Sequence, residues 1–201
     1  MMPERIAQAW RRLRRGLRTA VLDLRSGRLM TRIRPSRYAG AGAQQTQSSP
    51  YEALEALFTR VPIGPDDVLV DVGCGDGRVI HWWLLRGLRN RIIGLEIDPD
   101  VAAATARAFR RHPNVEVRPS DAIASLPPEG TIWYLGNPFG PGALARFRDA
   151  LEAARGEAGA TVVFYNLNHH DLFAPPWRLE EVPSPIYGRL AVIRLEPRQP
   201  A

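Results

Sequence analysis

Val68-Leu69-Val70-Asp71-Val72-Gly73-Cys74-Gly75-Asp76-Gly77-Arg78 decides how this chain folds. Apolar, mostly β-branched residues run into an acid and then into glycines at alternate positions. Val79-Ile80-His81-Trp82-Trp83-Leu84-Leu85 follows with the apolar spacing of a helix. A buried parallel strand reads this way when it ends in a tight turn that opens onto a helix. Glycines suit the turn because the backbone must bend sharply and let a ligand lie against it with no Cβ between. The stretch predicts a nucleotide-type ligand site.

Spacing narrows the ligand. A dinucleotide fingerprint needs G-x-G-x-x-G, its third glycine allowing close packing of helix on strand. Counting from Gly73, Arg78 holds that place, and a P-loop ending in Gly-Lys-Ser/Thr is impossible because the chain has no lysine. What remains is acid-x-Gly-x-Gly-x-Gly over Asp71, Gly73, Gly75 and Gly77. In this the chain resembles the class I S-adenosylmethionine-dependent methyltransferases, whose first motif has this form. The resemblance implies S-adenosyl-L-methionine as cofactor, held along Asp71, Gly73, Cys74, Gly75 and Gly77. The acid would answer the cofactor's ammonium group, directly or through water. Cys74, the single cysteine, suits packing or cofactor contact better than nucleophilic work.

Arg91-Ile92-Ile93-Gly94-Leu95-Glu96 reads as the next strand. A carboxylate at its end, about twenty residues past a glycine loop, is placed to accept both hydroxyls of a ribose. The resemblance assigns Glu96 that role; a solvated strand end is the plainer alternative. Asp98 reads as an N-cap with Pro99 at the first helical position, opening a helix over Asp100–Arg111. A third strand, Val115–Arg118, leads to Asp121 and Ala122. By resemblance these face the adenine, through the Asp121 side chain and the Ala122 N–H. Ser120 or Asp121 also fits a cap on a short helix over Ala122–Ser125.

The fourth strand, Thr131–Gly136, runs into Asn137-Pro138-Phe139-Gly140. This resembles the [Asn/Asp]-Pro-Pro-[Phe/Tyr] element of amino-group methyltransferases, with one proline missing, and is also a common turn composition. The resemblance makes Asn137, Pro138 and Phe139 the catalytic element. The amide oxygen and the following carbonyl would accept hydrogen bonds from an acceptor nitrogen, and the ring would pack on the acceptor.

Charge is unevenly spread. Up to Tyr38, eleven arginines oppose Glu4 and Asp23, leaving nine positive charges. The remainder, with sixteen arginines and nineteen acids, is three negative, which returns the +6 of the whole. Ile6, Trp10, Leu13, Leu17, Val21 and Leu24 recur three or four apart and trace a narrow apolar stripe among the arginines. Such a basic amphipathic helix suits an anionic membrane surface, or docking on the protein's own body or a partner protein, through residues 5–25. Nucleic acid is less favoured, because phosphates need no apolar stripe. An organellar targeting segment and a loose tail are further readings.

Residues 1–38 thus read as a basic amphipathic tail, 39–49 as a flexible Ala-, Gly- and Gln-rich linker, and 50–197 as the methyltransferase domain. Ser49-Pro50-Tyr51-Glu52 has capping-box spacing before a helix over Tyr51–Arg60, with Tyr51 as a pocket-wall residue by resemblance. A helix over Gly142–Arg155, a fifth strand Ala160–Asn166 and an antiparallel pair, Trp177–Val182 with Ile186–Leu195, complete the pattern. His169 and His170, after the fifth strand, are either loop residues or a general base. Trp82, Trp83 and Trp133 read as core. The expected fold class is α/β: a doubly wound, seven-stranded, mostly parallel sheet with a C-terminal antiparallel hairpin, the Rossmann-like methyltransferase fold. No metal site is expected.

A single cysteine and the absence of a membrane-length apolar run fit a cytoplasmic setting, with peripheral membrane contact through the tail. The implied activity is methyl transfer to an unidentified acceptor, a nitrogen of a small molecule or protein side chain being favoured. A nicotinamide-dependent oxidoreductase is disfavoured by Arg78. A non-catalytic S-adenosylmethionine-binding module targeted by the tail is the alternative from another class.

Overall fold

The computed structural model describes residues 4–30, 37, 38, 40 and 48–197. Most of the expected linker therefore lies outside the described residues. Seven strands form one sheet: β1 (Val68–Val72), β2 (Arg91–Glu96), β3 (Val115–Pro119), β4 (Ile132–Leu135), β5 (Ala160–Tyr165), β6 (Trp177–Val182) and β7 (Leu190–Leu195). Their order is β3-β2-β1-β4-β5-β7-β6. The first five are parallel, whereas β7 runs antiparallel to both β5 and β6. The sheet is the one expected from the alternation of strands and helices. Its order reverses between β1 and β4, which places a ligand crevice outside their carboxyl ends.

Helices α1 (Glu4–Leu24), α2 (Tyr51–Phe58), α3 (Arg78–Leu85), α4 (Pro99–Phe109) and α5 (Pro141–Arg155) accompany the strands. Alternation along the central strands divides the core into two layers. Leu69, Ile92, Tyr134 and Val163 pack with Tyr51, Leu54, Leu57, Ile80 and Trp83 of α2 and α3. Val70, Ile93, Trp133 and Val162 pack on the other side with Leu144, Phe147 and Leu151 of α5. Trp82, Trp83 and Trp133 are core residues, as expected. Asp98 caps α4, accepting hydrogen bonds from the Asp100 and Val101 N–H groups with Pro99 at the first turn.

Two local expectations fail for identifiable reasons. Ser49 forms no capping box: Pro50 takes the N-cap position without a side-chain bond. The Ser49 hydroxyl is buried instead against Tyr134, whose hydroxyl donates to it at 2.5 Å. The last strand begins at Leu190, not Ile186, because the Ser184 hydroxyl accepts from the Tyr187 N–H at 2.9 Å and curls that segment into a turn.

The basic amino-terminal segment is tied to the body at one end. Asp23, in the last turn of α1, is fully buried and faces Arg78 at the start of α3, with Nη2 to Oδ2 at 2.8 Å and Nε to Oδ1 at 3.1 Å. The Tyr51 hydroxyl donates to Asp23 Oδ1 at 2.7 Å and the Met30 N–H to Oδ2 at 2.9 Å. Tyr51 is thus a partner of this carboxylate and not a pocket wall. Arg78 also donates to the Met30 carbonyl at 2.5 Å and, at 3.4 Å, to those of Ser48 and Ser49. The Arg78 guanidinium also lies over the Tyr51 ring, 5.4 Å from its centroid. Farther along α1, Arg18 pairs with Glu52 and Glu55 of α2. The helix docks by its polar side, and its apolar stripe faces outward.

Removing one member of a buried pair strands the other charge, at about 3–5 kcal/mol. Asp23→Ala is therefore expected to lower the unfolding free energy by about that amount in urea titrations. The double change Asp23→Leu with Arg78→Met should recover part of the loss, since it strands no charge but leaves the Tyr51 hydroxyl and the Met30 N–H without their acceptor.

Candidate active site

The glycine bend leaves β1 and is fastened before any ligand is considered. The Gly73 and Cys74 N–H groups both donate to the Leu95 carbonyl of β2 at 2.9 Å, and Gly77 N–H closes a turn onto the Cys74 carbonyl at 2.8 Å. Gly73, Gly75 and Gly77 all have positive φ, at 72°, 51° and 81°. Only glycine adopts these without strain. At Gly77 space is also demanded, because a Cβ there would stand 2.5 Å from the Phe109 ring and 3.0 Å from Thr105 Cγ2 of α4. Thr105 secures the same bend by donating from its hydroxyl to the Gly75 carbonyl at 2.7 Å. A lone hydroxyl on the buried face of α4, with Ala102 and Phe109, is the only sequence signal for it. Cys74 is buried, with its sulfur against Gly94 of β2, and burial pushes its thiol well above the ordinary range. Packing, not nucleophilic reactivity, is its role here.

Two carboxylates face this bend. Glu96 accepts from the Gly75 N–H at 2.9 Å through Oε2 and from the Asp98 N–H at 3.0 Å through Oε1. It is a buried group and not a solvated strand end, and burial raises its pKa. A carboxylate offers about four acceptor positions, so two directions remain for ribose hydroxyls. Asp71 is almost fully buried, and its Oδ2 has no hydrogen-bond partner. Its carboxyl is pushed up to about 8, by burial first and by the charge of Glu96 second.

A ligand carrying an ammonium and a diol would answer both features. The orphaned Asp71 oxygen would meet the cation, and Glu96 the hydroxyls, beside a side-chain-free bend. By this test the residues present fit S-adenosyl-L-methionine.

Asp121 and Ala122 follow β3, where the Asp121 side chain accepts from the Ile123 N–H at 2.8 Å. The expected short helix over Ala122–Ser125 is a single turn capped by Asp121, and Ala122 is buried. Asn137, past β4, has φ 59°, a left-handed conformation uncommon outside glycine. Its neighbour Pro138 abuts the glycine bend: a Cβ on Gly73 would stand 3.1 Å from Pro138 Cβ. Phe139 leans on Phe147 of α5, with ring centroids 5.4 Å apart. The fold thus brings the Asn137-Pro138-Phe139 element against the first glycine of the Asp71–Gly77 stretch. His170 opens a 3-10 turn, and its Nδ1 lies close against the Arg189 guanidinium, so that nitrogen's lone pair is engaged. Among the described residues no group of His, Cys, Asp and Glu is placed to hold a metal ion.

Beyond the expected residues, the amino-terminal segment reaches this region. Arg28 contacts the Asp76 carbonyl within the glycine bend and lies over the Phe109 ring at 5.7 Å. Arg37 grips Asp98 through Nε at 3.0 Å and Nη2 at 2.7 Å, and reaches Asp100 at 2.9 Å. No local pattern in the sequence marks these contacts, since each joins residues far apart in the chain.

A methyltransferase-domain family model matches residues 70–130. Ribosomal RNA small subunit methyltransferase A of Thermotoga petrophila is 31% identical over 84 residues, covering 41% of this chain and 32% of that protein. The Thermotoga maritima protein of the same name is 34% identical over 76 residues, covering 37% and 26%. The chain thus spans between about a quarter and a third of the length of these curated relatives. A Salinibacter ruber RNA methyltransferase, solved with S-adenosyl-L-homocysteine, shares the fold at TM-score 0.59 and 24% identity, over 76% of this chain and 96% of that one.

Asp71 yields a pH test. An unfolded aspartate ionises near about 3.9, whereas the folded carboxyl stays neutral up to about 8. Stability is therefore highest below the unfolded value and is lost as pH rises toward the folded one. Asp71→Asn removes this titration. Without ligand, its gain in melting temperature over wild type should be small at about pH 4 and grow to about pH 8, as read by calorimetry. A bound ammonium would hold the Asp71 carboxyl ionised, so the affinity of Asp71→Asn for S-adenosylmethionine should fall by roughly tenfold or more as that charged partner is lost.

Proposed function

We infer that this chain is a class I S-adenosylmethionine-dependent methyltransferase and, from its Asn137-Pro138-Phe139 element, that the acceptor atom is a nitrogen. When bound, the cofactor supplies an electrophilic methyl group on a positively charged sulfur. The chain's own part is to hold, orient and exclude. Asp71 supplies the counter-charge for an ammonium, Glu96 fixes the ribose, and the glycine bend permits close approach. Asp121 and the Ala122 N–H stand at the end of β3 for the adenine.

The observation that carries the nitrogen reading is the contact of Pro138 with Gly73, beside an Asn137 held in the left-handed region. The Asn137 amide oxygen and the Pro138 carbonyl accept hydrogen bonds from the acceptor N–H, which aims the nitrogen lone pair at the methyl carbon. Phe139, braced on Phe147, packs against the acceptor. With the cofactor bound, a nitrogen–carbon bond would form at the expense of the carbon–sulfur bond, and the nitrogen's proton would pass to solvent. No covalent enzyme intermediate is required, and orientation of this kind supplies roughly 7–11 kcal/mol in well-aligned reactions.

An RNA base as the bearer of that nitrogen is a second reading. It is favoured by the two relatives named for ribosomal RNA, whose similarity covers about two fifths of this chain. Labelling a cell extract with tritiated S-adenosylmethionine and the purified protein separates the cases. Ribonuclease-sensitive counts identify RNA, protease-sensitive counts a protein side chain, and counts in the low-molecular-weight fraction a small amine.

Asn137→Ala should lower kcat about 100-fold, the scale of a misplaced reactant, while cofactor affinity measured by titration calorimetry stays unchanged. An unchanged kcat would remove the nitrogen-orienting role. Absence of any saturable S-adenosylmethionine binding by the wild type would remove the enzyme reading as a whole.

A further inference from the structure

Helix α1 exposes its apolar side. Ile6, Trp10, Leu13, Leu17, Val21 and Leu24 are each between 46% and 59% exposed, and Leu29 beyond the helix is 53% exposed. This is no failure to find a core. The opposite side of the same helix is fixed to the body by Asp23 on Arg78, by the Leu22 carbonyl on His81 at 2.9 Å, and by Arg18 on Glu52 and Glu55. The fold therefore holds the stripe outward at a set rotation.

Arg11, Arg12 and Arg14 are exposed on the same helix. At helical periodicity Arg14 borders the stripe and Arg11 lies farther round on the same side, whereas Arg12 lies near Asp23. Near the helix's carboxyl end opens a recess of about 470 Å³ whose wall includes Arg25, His81, Arg110, Arg111 and His112 and no acid. An exposed apolar stripe bordered by arginine, on a segment whose charge is strongly positive, matches one surface chemistry: acyl chains beneath anionic phosphates. A second copy of the chain would bring like charges together, and nucleic acid would leave the apolar side chains unused. No helix among the described residues is long and apolar enough to cross a membrane, so contact would be in the plane of the surface.

We propose that α1 is a membrane-docking element, its outward stripe entering the interfacial layer of an anionic bilayer while the flanking arginines meet lipid phosphates. The protein then works as a peripheral enzyme whose body is carried on the polar back of the docked helix.

The test is co-sedimentation of the full chain with phosphatidylcholine vesicles, with and without phosphatidylglycerol. Wild type should pellet with the mixed vesicles and not with phosphatidylcholine alone, and added salt should weaken the binding. The double variant Trp10→Glu, Leu17→Glu alters only exposed side chains, so its melting temperature should match wild type while vesicle affinity falls ~tenfold or more. Failure of wild type to pellet overturns the proposal, and so does pelleting that the double variant leaves intact. A dimer in light scattering that the variant abolishes would assign the stripe to a second copy. Loss of RNA-oligonucleotide binding in the same variant, without vesicle binding by wild type, would assign it to nucleic acid.

Discussion

The buried pair of Asp23 and Arg78 is the constraint on which the arrangement rests. Two charges leave water only if hydrogen bonds answer their remaining capacity. Here the carboxylate is met by Arg78, Tyr51 and the Met30 N–H, and the guanidinium by Asp23 and the carbonyls of Met30, Ser48 and Ser49. Arg78 is also the first residue of α3, immediately after the glycine bend. One side chain therefore joins the amino-terminal helix, the approach to α2 and the glycine bend of the candidate site. Arg28 and Arg37 add contacts from the same segment to Asp76, Asp98 and Asp100. The segment that carries the excess positive charge is part of the wall around the site.

The site itself is an arrangement of carboxylates kept under electrostatic tension. Asp71 is disfavoured as an anion by burial and by Glu96, while Glu96 is partly relieved by backbone N–H groups, those of Asp98 and Gly75 foremost. The backbone around them is already closed by bonds to β2 and by Thr105. A cationic ligand thus meets a rigid frame with one unanswered oxygen, and little ordering remains to oppose its binding.

What could be read from the chain was local. The β1 bend, the Asp98 cap with Pro99, and the alternation that stacks the sheet each depend on neighbours within a few residues, and each stands where the pattern puts it. Glu96 and Asn137 were legible because strand ends and turns mark them. Arg78 was legible only as a departure from the dinucleotide pattern, because its partner Asp23 lies on a helix whose docking no local rule predicts. Ser49 misled for the same reason: its capping spacing was sound, but Tyr134, from the middle of the sheet, claimed its hydroxyl. The apolar stripe of α1 was visible as a stripe. That its polar side, and not its apolar side, would face the body depended on Asp23 and Arg18 finding distant partners.

The socket at Gly77 limits how such a chain can diverge. Phe109 and Thr105 occupy the volume that any side chain at that bend would need, and the backbone there lies in a region closed to most residues. A methyl group gained at one position would have to be matched by lost bulk at the other, and even then the left-handed torsion would persist. Insertions between the bend and the end of α4 are similarly barred unless they bulge out before Pro99, because slippage by one residue along the helix would turn the phenyl ring out of its seat. Drift in this stretch is therefore expected to be concerted, with substitutions in α4 and in the bend inherited together.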